Sequence, residues 1–404
     1  MEAGIEFIPE GSLTSPEGFF AGATSAGINK KARDKPDLGI LFSETPCTAA
    51  AVFTTNRIKA APVVLSQQRL KQGRAGAVVV NSGNANALTG DRGLKNAAEM
   101  AKLTAEGIGI LPEDVLVAST GVIGVPLPMK KIRAGIEQII LSRDGGHDLA
   151  KAMMTTDTFA KETAVAVSKN GDRFTIGGVA KGSGMIHPDL ATLLCLLTTD
   201  AAVELEFVKS ALKKAVDVSF NMVSIDGDTS PNDMVLLMAN GLAGSQPISP
   251  GEQAGAFQQA LELVCIYLAK RIASDGEGAT KLIEVTVDGA PSIAEARSVA
   301  RAVVSSPLVK AAVHGADPNW GRIVAAVGRS GVEVEESKLD LYIGDIAIVK
   351  AGSALPFSKR RVVQLLKASE VSIGLNLNLG SGRATAWGCD LSEEYVTINS
   401  RYMT

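Results

Sequence analysis

The run Lys181-Gly182-Ser183-Gly184-Met185-Ile186-His187-Pro188-Asp189-Leu190-Ala191-Thr192-Leu193-Leu194 concentrates the chemistry of this chain. Gly182 and Gly184 accept backbone angles closed to other residues and Pro188 fixes another, so the loop can present the Ala191 carbonyl to the Thr192 hydroxyl. An N-to-O acyl shift there ends in a cut between Ala191 and Thr192. Thr192 then starts a new chain and carries two catalytic groups, a hydroxyl that attacks a carbonyl and an α-amine that takes its proton. Such amines titrate near about 7.7 to 8, so a useful fraction is free base at neutral pH and no histidine is needed. From residue types alone a plainer reading stands beside it: Lys-Gly-Ser-Gly is a turn and Ala-Thr the start of a strand.

The elements around the run must hold it. Residues 192–197 are apolar on both faces, which places them in the middle of a layered sheet, where a first-residue nucleophile would be rigidly held. Further strands are predicted at 77–81, 115–119, 163–168, 174–178, 192–198, 234–239, 282–287, 323–327, 339–343 and 371–377. Apolar spacing of three and four predicts helices over 94–106, 128–142, 203–219, 251–274 and 358–367. The clearest is 251–274, with Ala254, Phe257, Leu261, Val264, Leu268 and Ile272 on one stripe and Asp275-Gly276 closing it. Abundant glycine (41 residues), scarce aromatics (4%) and this alternation indicate a layered α/β fold with tight turns.

With 404 residues, 46% of them hydrophobic, the chain can bury a core for two domains or two interleaved lobes. A net charge of −3 argues against nucleic acid and anionic membrane surfaces as partners and favours small molecules or proteins. No apolar run approaches the roughly 20 residues that span a bilayer. The first residues lack a basic segment followed by an apolar one, so a cytoplasmic protein is expected. Cys47, Cys195, Cys265 and Cys389 are far apart, which predicts buried free thiols and no zinc site. His147, His187 and His314 lack metal-pair spacing, so no metal is expected. Trp320 and Trp387 read as core anchors, Arg322 as an ion-pair or anion-binding residue, and Asp226, Asp228 and Asp233 as loop formers that shape a site wall.

Several blocks besides 181–194 resemble the ornithine acetyltransferase family, also called glutamate N-acetyltransferase, of arginine biosynthesis. They are Asn81-Ser82-Gly83-Asn84-Ala85-Asn86-Ala87, Ser119-Thr120-Gly121-Val122-Ile123-Gly124, Met154-Thr155-Thr156-Asp157-Thr158, and Asp226-Gly227-Asp228-Thr229-Ser230-Pro231-Asn232-Asp233. Gly276-Glu277-Gly278-Ala279-Thr280-Lys281, the block 314–322 and the terminus 398–404 extend the likeness over nearly the whole chain. Many members have methionine around the Ala-Thr pair where this chain has Leu190 and Leu193, which are volume-conserving changes.

The resemblance implies an α-β-β-α sandwich of the self-processing N-terminal-threonine type. It implies an N-terminal chain 1–191 and a C-terminal chain 192–404 that stay assembled, as a heterotetramer of two of each. It makes Thr192 the nucleophile of a ping-pong transfer of acetyl from N2-acetylornithine to glutamate, with no cofactor; acetyl-CoA is open as a further co-substrate. Thr120 and Gly121 would supply the oxyanion donors, worth roughly 3 to 4 kcal/mol each. Lys181, Thr155 or Thr156, Thr192, Asn399 and Thr404 would meet the substrate, with Glu277 the acidic contact; were 155 and 156 in a strand, only one would face it. Two other readings remain. A self-processed threonine enzyme that uses water is an amidohydrolase or aminopeptidase, and a nucleotide-binding protein is weakened by the lack of any G-x-x-x-x-G-K-[ST] or G-x-G-x-x-G fingerprint on a strand-to-helix turn.

Overall fold

The computed structural model describes residues 4–29, 34–169, 171–187, 193–244 and 246–401. Its strands are β1 (Gly4–Phe7), β2 (Phe19–Thr24), β3 (Leu38–Phe53), β4 (Arg74–Asn81), β5 (Val115–Ser119), β6 (Lys161–Lys169), β7 (Asp172–Lys181), β8 (Leu194–Thr199), β9 (Val223–Ser224), β10 (Met234–Ala239), β11 (Leu282–Ala290), β12 (Asp340–Ile343), β13 (Ile346–Lys350), β14 (Ser353–Ala354), β15 (Glu370–Asn376) and β16 (Gly382–Cys389). The helices are α1 (Ala61–Arg69), α2 (Gly90–Ile108), α3 (Met129–Ile136), α4 (Gly146–Met153), α5 (Leu205–Val218), α6 (Glu252–Ser274), α7 (Ile293–Val304), α8 (Pro307–His314), α9 (Gly321–Gly328), α10 (Lys359–Leu366) and α11 (Glu393–Arg401).

One sheet runs β1-β6-β7-β8-β10-β3-β4-β5, with β2 paired to β3. Laid flat, five strand spacings would set β7 about 24 Å from β5. Yet the Lys181 ammonium at the end of β7 lies 3.4 Å from the Thr120 hydroxyl just past β5. The sheet is therefore folded over on itself. The fold lies in β3, whose first part pairs with β2 and β4 and whose last part pairs with β10. Between Phe42 and Cys47 its register with β4 breaks, and Pro46, which has no N–H to donate, stands in that break.

Folding over makes two β layers with a dry core between them. Leu194 and Leu196 of β8 and Met234, Leu236 and Met238 of β10 meet Val78 and Val80 of β4 and Leu116 and Ala118 of β5. The alternate residues point outward. Cys195, Leu197, Val235 and Leu237 pack under α5 and α6, while Ala77, Val79, Val115 and Val117 pack under α2 and α3. This is the α-β-β-α order. The edge of β5 is closed by α1, whose Ser66 hydroxyl donates to Val117 O and accepts from Val117 N–H, at 2.9 and 3.0 Å.

A second sheet, β14-β13-β12-β15-β11-β16-β9, takes up much of the rest of the chain. Its Ile283, Val285 and Val287 share a core with Val299 and Val303 of α7, and on the other face Glu284 of β11 pairs at 2.7 Å with Lys270 of α6. Helix α6 is thus buried between the two sheets, which explains why Ala260, Cys265 and Ala269 are buried along with Phe257, Leu261, Val264, Leu268 and Ile272 of the expected stripe, whose first member Ala254 is half-buried.

Most expected elements are present within a few residues, with these corrections. Residues 323–327, expected as a strand, belong to α9, where Ile323, Ala326 and Val327 make a three-four buried stripe. The helix expected over 128–142 ends at Ile136. Residues 193 onward do enter the central strand, but residue 192 lies outside the described set. β8 sits between β7 and β10, so the stretches before and after residue 191 interleave in one sheet. All four cysteines are free and buried. Among the described residues no helix is long and apolar enough to cross a membrane.

Leu196 is buried in the inter-layer core. Truncation to alanine is expected to cost about 2–5 kcal/mol in unfolding free energy, read as a lower urea midpoint with an unchanged slope.

Candidate active site

Lys181 is the last residue of β7, and its side chain is largely buried between the two β layers. Its ammonium donates to the Thr155 hydroxyl at 2.8 Å and to the Thr120 hydroxyl at 3.4 Å, with Asp157 Oδ2 at 3.9 Å. Behind it lies a buried ionic brace. Lys161, fully buried at the start of β6, reaches Asp157 Oδ1 at 2.7 Å and Asp275 Oδ2 at 2.5 Å. Asp157 also accepts the backbone N–H groups of Gly182 (2.7 Å) and Thr155 (3.0 Å). Asp275, which ends α6, accepts the N–H and hydroxyl of Thr158. One ammonium thereby ties α6, the bend 154–158 and the end of β7 into a fixed arrangement.

Burial pushes the Asp157 carboxyl up, but the Lys181 and Lys161 charges and its hydrogen bonds outweigh that and bring it down to about 2. A carboxyl lowered on folding stabilises the protein above the ordinary carboxylate range and loses that contribution as pH falls toward its folded value. Denaturant titrations from about pH 5 down to about pH 2 should show stability falling, with a shallower fall in Asp157→Asn. Lys161→Met leaves two carboxylates buried without their cation and should cost about 3–5 kcal/mol.

Thr120 and Gly121 follow β5, as expected, and line a pocket with Thr155, Lys181, Gly182 and Gly184. Gly121 has φ +130°, and a Cβ there would lie 2.4 Å from the Gly83 carbonyl carbon and 2.5 Å from Asn84 N, so only glycine fits. Asparagine amides brace these loops. Asn81 Nδ2 donates to Asn84 O at 2.9 Å, and Asn81 Oδ1 accepts the Ser119 hydroxyl at 2.7 Å. Asn232 Nδ2 donates to Ala85 O and Ser119 O, at 2.6 and 2.8 Å. The asparagine-rich block 81–87 is therefore tied to the end of β5 and, through Asn232, to the loop before β10.

Of the two threonines, the structure turns Thr155 into the pocket and Thr156 toward Ser183, whose hydroxyl donates to it at 3.2 Å. Both stand in a bend and not in a strand. Glu277 does not line the pocket but stands next to Gly184, which does: its N–H donates to Ser183 O at 2.8 Å, and its Oε2 accepts Asn399 Nδ2 at 2.8 Å. Gly184 lets the Glu277 carboxylate come close, since a Cβ there would lie 2.6 Å from its carboxyl carbon and push it aside, and the positive φ falls on Met185 (+56°) instead. Asp226 holds that turn by accepting the N–H groups of Met185 and Ile186 at 2.6 and 2.9 Å. Ala191, Thr192, Pro188 and Thr404 lie outside the described residues.

Other expectations resolve structurally. Trp387 is buried with its indole N–H on Glu284 at 2.8 Å, and Arg322 donates to Leu308 O at 3.0 Å. His147, His187 and His314 bond Glu162, Ser224 and Asp390. No group of metal-binding side chains occurs among the described residues. Asp157, Lys161, Asp275 and Asn232 were given no site role from sequence: Asp157 and Asn232 stand in the blocks that carry the resemblance, Asp275 was read only as closing the helix 251–274, and Lys161 was not named.

The ArgJ family model matches residues 20–404. The chain belongs to the ArgJ family. An arginine biosynthesis bifunctional protein ArgJ from Dehalococcoides mccartyi is 52% identical over the full length of both chains. One from Symbiobacterium thermophilum is 53% identical over 98% of this chain and 99% of its own. The crystal structure of the arginine biosynthesis bifunctional protein ArgJ from Bacillus halodurans is 46% identical with a TM-score of 0.50, and it covers 51% of this chain and 97% of its own. The ArgJ match thus spans both β layers, the second sheet and every described pocket residue.

Proposed function

We propose that this chain is an acetyltransferase of arginine biosynthesis that cuts itself between Ala191 and Thr192 and moves acetyl from N2-acetylornithine to glutamate through an ester on Thr192. One observation carries the reading. Leu193 and Leu194, which follow Thr192 in the chain, line the same pocket as Thr120, Gly121, Thr155 and Lys181. That lining supports a new chain start at the pocket that holds the polar donors. The names of the full-length relatives support the pathway, and their description as bifunctional supports acetyl-CoA as a second acetyl donor. The Bacillus halodurans crystal chain, matched over 97% of itself but over 51% of this chain, has about the length of one piece of a protein cut near its middle.

In this reading the Thr192 hydroxyl attacks the acetyl carbonyl, and its own α-amine takes the proton. The oxyanion faces the Thr120 hydroxyl and the Gly121 N–H. Collapse breaks the C–N bond, the ammonium returns the proton, and ornithine leaves as the free amine. The glutamate amine then attacks the acetyl ester and restores the hydroxyl. Lys181, a cation whose partners are two hydroxyls and a more distant carboxylate, receives the substrate carboxylate. Glu277, whose carboxylate accepts the neutral Asn399 amide, receives the ornithine side-chain ammonium. Thr156 stays a support through Ser183, and Thr404 completes the contact set. An assembly of two N-terminal and two C-terminal chains and a cytoplasmic location belong to the same reading, and the seating of β8 between β7 and β10 supports cut pieces that remain together.

Intact mass should show two chains, the second beginning at Thr192, and Thr192→Ala should remain whole and lose transfer by about 10³-fold or more. Ornithine release should require glutamate and match N-acetylglutamate formed; equal release without glutamate would make the enzyme a hydrolase. Thr120→Ala should lower kcat by about 10²-fold with little change in KM.

A further inference from the structure

A cavity of about 600 Å³ opens where β1 and β6 meet α4 and α6, and the proposed chemistry leaves it without a role. Phe7, Glu10, His147, Glu162, Thr163 and Tyr267 line it, and it shares no lining residue with the pocket around Lys181. Its volume lies in the range of small-molecule sites. Successive residues of β6 face opposite ways, so Lys161 enters the ionic brace while Glu162 enters this cavity. The turn after β1 is pinned against β6. Ile8 N–H donates to Ala164 O at 2.9 Å, Gly11 N–H donates to Ile8 O at 3.0 Å, and a Cβ on Gly11 would lie 2.7 Å from the Ala164 Cβ. That turn brings Glu10 to the cavity.

Two features of its lining are chemically specific. Phe7 and Tyr267 make an aromatic wall, with ring centroids 5.6 Å apart and planes tilted by 50°, and both rings stay partly in water, at 48% and 37% exposure. The charged and imidazole groups beside that wall accept hydrogen bonds. Glu162 Oε1 takes the His147 Nδ1 hydrogen at 2.9 Å, which leaves Nε2 of the neutral ring as an acceptor. Glu162 Oε2 is turned from solvent and has no hydrogen-bond partner among the described residues, although the side chain as a whole is 18% exposed. A carboxylate oxygen without water or donor is costly until a donor reaches it. Glu10 adds a second carboxylate, and no lysine or arginine is among the described residues that line the cavity.

We propose that this cavity binds the guanidinium group of a small molecule. A guanidinium is planar, carries five N–H donors in a fork that matches a carboxylate, and stacks on aromatic faces. One edge of the fork meets the Glu162 carboxylate, a slight turn of which brings Oε2 to the second donor, and the flat face rests on the Phe7 and Tyr267 wall. The remaining N–H groups meet His147 Nε2 and the Glu10 carboxylate. A simple ammonium has no flat face for the wall and no fork for the carboxylate, so it uses fewer of these groups. Binding here depends on neither self-cleavage nor acetyl transfer.

Titration calorimetry of the purified protein with butylguanidinium, at about pH 8 where ordinary imidazoles are neutral, tests it. Wild type should bind the probe, and butylurea, its neutral isostere, should bind about tenfold more weakly or worse. Glu162→Gln should weaken butylguanidinium by about tenfold or more, and Tyr267→Leu by about threefold to fivefold. Glu277→Gln, which alters the acidic contact of the proposed transfer reaction, should bind the probe as wild type does. No binding up to about 20 mM, an affinity unmoved by Glu162→Gln, or a loss on Glu277→Gln instead overturns the proposal. If Glu162→Gln does not fold, the exposed Tyr267→Leu change decides, and an unchanged affinity there overturns it.

Discussion

A single buried ammonium, that of Lys161, fixes the geometry on which the pocket depends. It is buried and is held by two carboxylates, Asp157 on the bend before β6 and Asp275 at the end of α6. Each carboxylate then spends its remaining lone pairs on backbone N–H groups of the segments that build the site, Gly182 and Thr155 on one side and Thr158 on the other. Such a brace is weak evidence for net stability, since burying the charges costs about as much as pairing them returns. Its value is positional: the Lys181 side chain and the Thr155 hydroxyl cannot drift apart without stripping a buried carboxylate of its partners.

The second constraint is the folding-over of the sheet at β3. Without it the ends of β5 and β7 would be strands apart, and the Thr120 hydroxyl, Gly121 and Lys181 would never share a pocket. Asn232 reinforces the closure by bonding carbonyls on both the 81–87 loop and the end of β5. A dry core of Leu194, Leu196, Met234 and Leu236 against Val78, Val80 and Leu116 then keeps water from the inside of the two layers.

Much of this was legible in the residues. β5 and β10 have the boundaries their apolar runs predict, and the stripe of α6 runs as spaced. Thr120 and Gly121, Thr155 and Lys181 come from three distant blocks, yet meet in one pocket. What was not legible depended on tertiary pairing. The Lys161 brace joins residues more than a hundred positions apart, which no local pattern encodes. The fold in β3 follows from a register break that sequence spacing does not display, although Pro46 marks it. Helix α7 did carry a readable signal: Ser292 accepts Glu295 N–H at 3.2 Å and donates to its carboxylate at 2.7 Å, a capping box that the spacing alone announces. The strand expected at 323–327 is a helix because burial there follows the three-four spacing.

The central claim is that the acetyl group passes through residue 192. Purified protein mixed with N-acetylornithine labelled in its acetyl group, quenched in acid without glutamate and mapped by peptide mass, tests it most directly. The account predicts the label on the peptide that begins at Thr192, and its disappearance when glutamate is added before the quench. Label on a different peptide, or active transfer with no labelled peptide at all, would contradict it.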